Sequence, residues 1–489
     1  MIKRAIIFVH RWLGVALCLF FLLWFPSGIG IMYWEFPSVE AADRLARSPA
    51  LDPSTIRLSP AEAYVIAGLS LPPSQVRLNT FAGRPIYRFR TERESSMVYA
   101  DTGARQTGVM NDLADRIAAS WVGQPAGAAR RETLDDADQW TVQRSFRVDP
   151  TLLKYSWPNG EQVYVSPTSG EVVQYTTAAS RLGAYLGPIP HWIYFTPLRK
   201  HQLVWDRLIT WSSGIGTIAA LLGLVVGLWM YSPAKAYRYD GAPARIPYPG
   251  QKRWHMVFGL IFGLGAVTWA FSGMLSMDPF PALRQRPRAD IPRALRSPLE
   301  LPAFAARDPR EALAQLPALS VKELELTAVA GEPVYLATLA RGDTRIVPVS
   351  GPPRQEFDRQ SIIRLIDSAS QPGGLAGARV IDRYDAYYLD RHKQRPLPVI
   401  LARLNDAEHS RFYIDPKTAR VVGSYSSRTW MSRWLYHGLH SLDFPWLYDY
   451  RPLWDIVVIT FMLGGTALCV TSLILAWRVL GSYLRSPQG

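Results

Sequence analysis

Six of the eight histidines lie near the ends of long apolar stretches. They are His10, His191, His201, His255, His437 and His440. Imidazole is a common ligand of haem iron, and a low-spin b-type haem needs two axial ligands from opposite faces. Ionisable groups within a membrane are costly and usually functional. These histidines therefore predict b-type haem binding, with ordinary interfacial histidines as the alternative.

An internal repeat sorts four of these histidines into two pairs. An offset of 245 residues places His10 on His255, and an offset of 249 residues places His191 on His440. Two parallel halves related by a pseudo-twofold axis along the membrane normal hold equivalent residues at equal depth. The repeat therefore predicts two metal-binding pairs, His10 with His255 and His191 with His440, for one or two haem b groups per chain.

Two further histidines, His201 and His437, lie close to the second pair in the sequence and have no partner in the repeat. The pairs His191 with His201, or His437 with His440, are therefore alternatives. Both extra histidines are candidate cofactor-binding residues on this ground.

Two tryptophans share the pattern H-x3-G-x9-W-x2-S-G, which begins at His10 and again at His255. Trp24 lies 14 residues after His10, which is about 21 Å along a helix. Trp24 and its counterpart Trp269 are therefore candidate walls of a haem site near the outer leaflet. The alternative is an ordinary aromatic belt at the membrane surface.

Four apolar stretches of more than 20 residues must position these side chains. They comprise residues 12–33, 208–231, 256–277 and 456–479. Each is long enough, at ~1.5 Å per residue, to cross a hydrocarbon core of ~30 Å. Because they alternate with two long polar segments, the sequence predicts an integral membrane protein rather than a soluble one.

The basic residues predict how the chain is oriented. They flank the first stretch, fill the short middle loop and follow the last stretch, so the positive-inside rule places these parts and both termini in the cytoplasm. The basic residues are also dispersed, so the formal net charge of +14 does not indicate nucleic-acid binding. The predicted organisation is a first span at 1–34, an outer lobe at 35–200, a second span at 201–232, a cytoplasmic loop at 233–253, a third span at 254–278, an outer lobe at 279–450, and a fourth span with a tail at 451–489.

The two outer lobes are predicted to be α+β. Ser59 is a candidate N-cap of a short helix, and strands are expected near residues 83–87 and 98–103. A helix followed by hairpin strands recurs twice in each lobe, which gives four small units. The predicted fold is thus a four-helix transmembrane bundle, built by tandem duplication, with two outer α+β lobes.

Several classes of chemistry have no candidate site in this sequence. The two cysteines, Cys18 and Cys469, both lie in apolar stretches and form no CxxC or CxxCH motif, which excludes thiolate zinc sites and covalent c-type haem. No Walker loop, GxGxxG, HExxH or GxSxG motif occurs either. Hydrolytic and nucleotide-dependent catalysis therefore lack a candidate residue, and no catalytic side chain is assigned.

Five segments of the sequence resemble the PepSY-associated transmembrane helix proteins of bacterial inner membranes. They are residues 10–14, 385–388, 397–399, 413–416 and 433–444. Members of this family are associated with iron uptake, and some are ferric-siderophore reductases that carry haem in the membrane. The resemblance implies an inner-membrane location, periplasmic PepSY-like lobes, and haem ligation by His10, His255, His191 and His440.

The resemblance also sets the functional hypotheses. The leading one is a haem-containing oxidoreductase that reduces a periplasmic ferric chelate, such as a ferric siderophore, and so releases its iron. Because the loop at 232–253 is too short for a fused flavoprotein domain, electrons would come from quinol or from a separate cytoplasmic flavoprotein or ferredoxin. The alternatives are a non-enzymatic PepSY protein that binds or restrains a periplasmic partner and, less favoured, a permease for haem or metal.

Overall fold

The computed structural model describes residues 1–108, 111–143, 151–239, 241–280 and 290–485. Within these residues, four helices are long and apolar enough to cross a membrane, which confirms the predicted membrane-protein fold. The helices, in chain order, are α1 Ile2–Tyr33, α2 Ala41–Arg47, α3 Pro60–Ala67, α4 Asn111–Val122, α5 Ala178–Leu186, α6 Pro188–Trp192, α7 Thr196–Arg199, α8 Gln202–Met230, α9 Gly250–Ser276, α10 Ile291–Ala294, α11 Pro309–Ala314, α12 Arg359–Ala369, α13 Leu439–Ser441, α14 Pro445–Tyr448 and α15 Leu453–Arg485.

The four long helices α1, α8, α9 and α15 begin earlier than the apolar stretches that predict them. Helix α1, for example, starts ten residues before Trp12 and includes Lys3 and Arg4, both exposed. A helix satisfies its own backbone hydrogen bonds, so it can continue through the headgroup region, where charged side chains are solvated. Hydropathy therefore predicts the last residue of α1, α8 and α9 to within one residue, but not the first residue of any of the four helices.

Glycines allow the long helices to pack closely. A Cβ on Gly465 of α15 would lie 2.4 Å from the ring of Phe25 in α1, and a Cβ on Gly464 would lie 2.5 Å from the ring of Phe262 in α9. Such distances are too short for any larger residue without movement of the ring or the helix. The aromatic rings thus occupy the space that the two glycines leave, as small residues permit in membrane bundles.

The short helix α6 is held against α1 by a contact between two backbones. A Cβ on Gly30 would lie 2.4 Å from the carbonyl oxygen of Leu186, and a Cβ on Gly187 would lie 2.7 Å from the carbonyl carbon of Gly30. Only glycine fits on both sides of this contact. Because α6 carries His191, the contact also sets the distance of that histidine from α1.

The described strands form four antiparallel sheets. The strands are β1 Gln75–Phe81, β2 Arg84–Arg90, β3 Ser95–Tyr99, β4 Arg130–Leu134, β5 Leu152–Ser156, β6 Gln162–Val165, β7 Val172–Thr176, β8 Tyr237–Tyr239, β9 Ala242–Ala244, β10 Glu323–Val329, β11 Glu332–Ala340, β12 Asp343–Pro348, β13 Leu375–Ile381, β14 Val399–Leu404, β15 Arg411–Asp415 and β16 Arg420–Tyr425. Their orders are β12-β11-β10-β1-β2-β3, β13-β14-β15-β16, β4-β5-β6-β7 and the hairpin β8-β9.

Four units of one helix and several antiparallel strands make up the two lobes, defined here as the described residues of 35–200 and 279–450. Helix α3 precedes β1–β3, α4 precedes β4–β7, α11 precedes β10–β12 and α12 precedes β13–β16. Ser59 caps α3 as expected, by accepting a hydrogen bond from the backbone N–H of Glu62 at 3.3 Å. The second expected strand, at 98–103, ends already at Tyr99, because the chain turns there and Gly103 adopts a φ of +77°.

Strands β1 and β10 join the two lobes into one six-stranded sheet. They pair antiparallel, with Arg77 opposite Glu325. The Glu325 carboxylate lies 3.6 Å from Arg77 and also accepts a hydrogen bond from Arg420 of β16. Its residue is only 8% exposed, so one nearly buried acid connects strands from three of the four units. We call this pairing of β1 with β10 the lobe seam.

Removing the Glu325 carboxylate is expected to destabilise the lobe seam. In Glu325→Ala, two arginines lose their common partner, but both are about one-third exposed and Arg77 keeps Glu323 at 3.7 Å, so the cost should be about 1–2 kcal/mol. The thermal unfolding midpoint of the purified protein in detergent should fall accordingly. The control is Asp343→Ala, which breaks a more exposed pair with Arg345 on β12 and should cost less than about 1 kcal/mol. Equal effects of the two substitutions would contradict a special role of the seam.

Candidate functional site

His191 and His440 face each other where the bundle meets the lobes. His191 lies on α6 and His440 on α13, and the centres of their rings are 6.0 Å apart, with the ring planes at 65°. Nδ1 of His191 lies 3.2 Å from Ser27 Oγ, and Nδ1 of His440 lies 3.0 Å from Ser272 Oγ. We call these two residues the lobe-side pair.

Residues of the repeated W-x2-S-G element contact both histidines of the lobe-side pair. Its serines, Ser27 in α1 and Ser272 in α9, contact the two Nδ1 atoms, as described above. Its glycines lie beside the rings, since a Cβ on Gly28 would be in ordinary contact with Cε1 of His191 at 3.7 Å, and a Cβ on Gly273 with Cε1 of His440 at 3.8 Å. The two halves of the chain therefore hold their histidines by the same contacts.

His10 and His255 form a second pair at the other end of the bundle, near the start of α1 and α9. Their ring centres are 6.2 Å apart, with the planes at 35°. Nδ1 of His10 lies 2.9 Å from the carbonyl oxygen of Ala219, to which it can donate. Nδ1 of His255 lies 3.3 Å from the hydroxyls of both Thr471 and Ser472. We call these two histidines the terminal-side pair.

Gly223 makes room for the terminal-side pair. A Cβ at this position would lie 2.4 Å from Cε1 of His10, so the imidazole rests directly on the glycine. The position equivalent to Gly223 in the second half, by the offset of 249, is Ser472, which instead contacts Nδ1 of His255. The group packed against Gly223 is therefore a candidate ligand.

All four histidines use Nδ1 for a contact with the protein. No described residue makes a hydrogen bond to Nε2 of any of them. A hydrogen bond at one ring nitrogen orients the imidazole and leaves the other nitrogen available to a metal, as is general for histidine ligands. Two such nitrogens on opposite sides of one iron, each ~2 Å from it, would put the ring centres about 6 Å apart. Both pairs meet this requirement.

The described residues contain no group of three or more His, Cys, Asp or Glu side chains that could hold a metal ion. Each histidine pair offers two nitrogens and no carboxylate or thiolate. A metal held here would need its remaining ligands from another group, and a porphyrin supplies four. The donor set therefore fits haem better than a bare metal ion.

A cavity of about 320 Å³ opens between the lobe-side histidines and the ends of the long helices. Its walls are mostly apolar and rich in aromatic rings, and they include Trp24 and Trp269, the two tryptophans singled out by the repeat. The indole N–H of Trp269 donates a 2.9 Å hydrogen bond to the backbone carbonyl of His440. An apolar cavity with a few convergent polar groups is the usual form of a cofactor site. We call it the lobe-side cavity.

The surroundings of the lobe-side pair favour neutral imidazoles. Burial lowers the pKa of His191 and of His440 below the ordinary value, and the hydrogen bonds to backbone only partly offset this effect. Both rings are therefore neutral near pH 7. Only a neutral imidazole has a lone pair on Nε2 for iron when Nδ1 carries the proton.

The other two candidate histidines lie at exposed positions. His201 precedes the first residue of α8, and His437 lies in the π-helical turn Met431–Gly438. The ring of His437 contacts that of Tyr436 at a tilt of 46°, with 4.6 Å between ring centres. The structure brings His191 together with His440, whereas no ring contact joins His201 to another described histidine. The alternative pairings stay predictions with less geometric support.

Sequence reasoning missed the residues that support the histidines. Ser27 and Ser272 were visible in the repeated W-x2-S-G pattern, and that repetition was the available signal. No sequence pattern marked the contacts of Ala219 and Thr471. Every residue has a backbone carbonyl, and threonines are common in helices, so neither residue type indicates a nearby histidine. Arg391, which reaches the lobe-side cavity from the second lobe, also belongs to none of the motifs or repeated positions found in the sequence.

Comparison with known families identifies residues 8–319 of the chain as the PepSY-associated TM region. The matched segment includes α1 from Phe8 onwards, the first lobe, α8, all of α9 and the first part of the second lobe. It contains three of the four paired histidines, and His440 lies outside it. No curated protein matches the chain.

Proposed function

The chain belongs to the PepSY-associated TM region family, and from this premise we propose that it is a haem-containing oxidoreductase of the bacterial inner membrane. In this proposal it passes electrons across the membrane and reduces a periplasmic ferric chelate. The resemblance described above supplied the substrate class, a ferric siderophore or a related chelate. The site geometry supplies the independent support.

The observation that carries the proposal is the matched geometry of the two histidine pairs. Their ring centres are 6.0 and 6.2 Å apart, and every Nδ1 is engaged by a hydroxyl or a backbone carbonyl. An interfacial histidine has no need of a second histidine at ligand spacing. Two such pairs at opposite ends of one bundle support two haem b groups per chain.

Tandem duplication accounts for this arrangement. His191 and His440 have the same serine and glycine contacts in the two halves, and the hydroxyls of Tyr87 and Tyr335, 248 residues apart, donate hydrogen bonds to backbone carbonyls at the same place in each lobe. We therefore infer two parallel halves, with the lobes on the periplasmic side and both termini in the cytoplasm, as the positive-inside rule indicates.

The residues of the chain have distinct tasks in this function. The neutral imidazoles would hold and orient the haem, and Ser27 of α1 and Ser272 of α9 orient the rings of His191 and His440. The aromatic walls of the lobe-side cavity exclude water and lower the local polarity. When bound, haem supplies one-electron transfer between the ferric and ferrous states. The long helices place one site towards each membrane surface.

The number of electrons that the donor gives must equal the number that the ferric chelates take up. Each ferric chelate takes up one electron, so one quinol, which gives two electrons and two protons, would serve two chelates. A cytoplasmic flavoprotein or ferredoxin is the other donor class. Fe(III) is held tightly by oxygen ligands, whereas Fe(II) suits them less, so reduction releases the iron without cleavage of the chelator.

The direct test is spectroscopic. The protein, purified in mild detergent from cells supplied with iron and haem, should show a low-spin b-type difference spectrum between the dithionite-reduced and oxidised states, with about two haems per chain. One haem per chain would leave only one pair as a site. Colourless protein would overturn the proposal and favour the non-enzymatic alternative, in which the lobes bind or restrain a periplasmic partner.

A glycine substitution tests the terminal-side pair without removing a ligand. In Gly223→Ala, the new methyl group would meet the ring of His10, so the imidazole must move and the affinity for the terminal-side haem should fall by roughly 10- to 100-fold. The matched control is Gly227→Ala, one turn further along α8, where a Cβ meets only Leu260, at 3.2 Å. Haem content should fall in the first variant only, and equal losses would indicate a packing effect.

A further inference from the structure

The lobe-side cavity contains one full charge among the described residues that line it. This charge belongs to Arg391, which lies between β13 and β14 in the second lobe. We propose that Arg391 binds a carboxylate of the group held between His191 and His440, namely a propionate of the haem. The inference rests on the proposed function and adds to it an anchor, an orientation and an influence on reduction potential.

Arg391 is positioned by an aromatic contact. Its guanidinium carbon lies 5.2 Å from the centre of the Trp454 ring, and Trp454 is only 1% exposed. The indole N–H of Trp454 in turn donates a 3.1 Å hydrogen bond to the carbonyl oxygen of Ser441, the residue next to His440. The cation is therefore held close to the backbone that carries one of the paired histidines.

Arg391 has no direct carboxylate partner among the described residues. The carboxylates of Asp443 and Asp455 interact with it electrostatically, but neither forms an ion pair or a hydrogen bond with it, in contrast to Arg451, which lies 4.9 Å from the centre of the same Trp454 ring and binds Asp455. A guanidinium has five N–H donors in a planar fork that matches a carboxylate. A carboxylate inside the cavity could accept these hydrogen bonds, which Asp443 and Asp455 do not.

Haem brings such an anion, since its two propionates lie on one edge of the porphyrin. The histidine pair fixes the iron and the axial direction but leaves the rotation of the macrocycle about that axis open. A contact with Arg391 would fix this rotation and turn the propionate edge towards the second lobe. The positive charge would also favour the reduced state, which carries one positive charge less at the iron.

The test is a redox titration of Arg391→Gln, followed by the absorption of each haem. The reduction equilibrium of the lobe-side haem should shift about tenfold towards the oxidised state, which is a potential lower by about 59 mV for one electron, while the terminal-side haem stays unchanged. Arg391→Lys should restore most of the shift, because it keeps the charge. The matched control is Arg395→Gln, an exposed arginine of the same connection that lies over Tyr388.

The outcomes separate this inference from the function on which it rests. Absence of haem from the unmodified protein would overturn the proposed function. Two haems whose potentials are the same in Arg391→Gln would overturn the propionate contact alone. If Arg391→Gln changes only the potential shift caused by adding an anionic ferric chelate, the carboxylate belongs to the substrate, and the propionate assignment is wrong.

Discussion

Replacement of His440 with alanine is expected to halve the haem content, from about two to about one per chain. The variant loses one of the two imidazoles of the lobe-side pair, and no other described histidine ring contacts His191. The low-spin signal of the lobe-side haem should disappear, and reduction of a ferric chelate should stop. Haem quantification per chain and the difference spectrum measure this result.

The control for His440→Ala is His437→Ala, three residues earlier in the same segment. His437 is exposed and contacts the ring of Tyr436, so its loss should leave both haem signals in place. Retention of both haems in His440→Ala together with loss of one in His437→Ala would show that the ligand had been assigned to the wrong histidine. Comparable loss in the two variants would indicate a general effect on this segment.

Replacement of His10 with alanine should remove the other haem and interrupt the path across the membrane. His10 has one partner ring, His255 at 6.2 Å, and a single axial ligand does not keep a low-spin haem. Haem content should again fall to about one per chain. In oriented vesicles, quinol or a cytoplasmic donor should no longer reduce the lobe-side haem, whereas dithionite added from the lobe side should still do so.

A suitable control for His10→Ala is Cys18→Ala, a buried position on the same helix about two turns further along. It removes a side chain from α1 without touching either histidine pair, so haem content and reduction by the donor should persist. If quinol still reduces the lobe-side haem in His10→Ala at the normal rate, the electrons enter elsewhere, and the conduit hypothesis fails while the lobe-side site stands.

The sequence was sufficient for the membrane helices because hydropathy and helix length are local properties. The sequence also predicted that His10 lies near His255 and His191 near His440, because an internal repeat makes positions equivalent that are far apart in the chain. The first residue of α1 and the last residue of α15 could not be predicted in the same way, because a helix continues beyond its apolar part without any change in residue type that marks its end.

The remaining features depend on contacts between distant segments. The carbonyl of Ala219 and the packing of Gly223 matter only because α8 passes His10, and a single sequence does not reveal which helices are neighbours. Arg391 belongs to a loop of the second lobe and reaches a cavity between helices. The pairing of β1 with β10 joins residues almost 250 positions apart, and edge strands of similar composition could pair in many other ways.

The lobe seam has the geometry of an interface between two identical subunits. Gly83 and Gly331 of the repeat differ by 248 positions, and the same offset equates Arg77 with Glu325, the two residues that face each other across the seam. A strand that pairs antiparallel with its own equivalent lies on a twofold axis, as in an isologous dimer.

Arg77 and Glu325 carry opposite charges, so the two strands of the lobe seam are complementary rather than interchangeable. Two copies of β1 paired in the same register would place Arg77 opposite Arg77, and two copies of β10 would place Glu325 opposite Glu325, which is unfavourable. The charges at the lobe seam therefore favour pairing of β1 with β10 over pairing of either strand with its own copy.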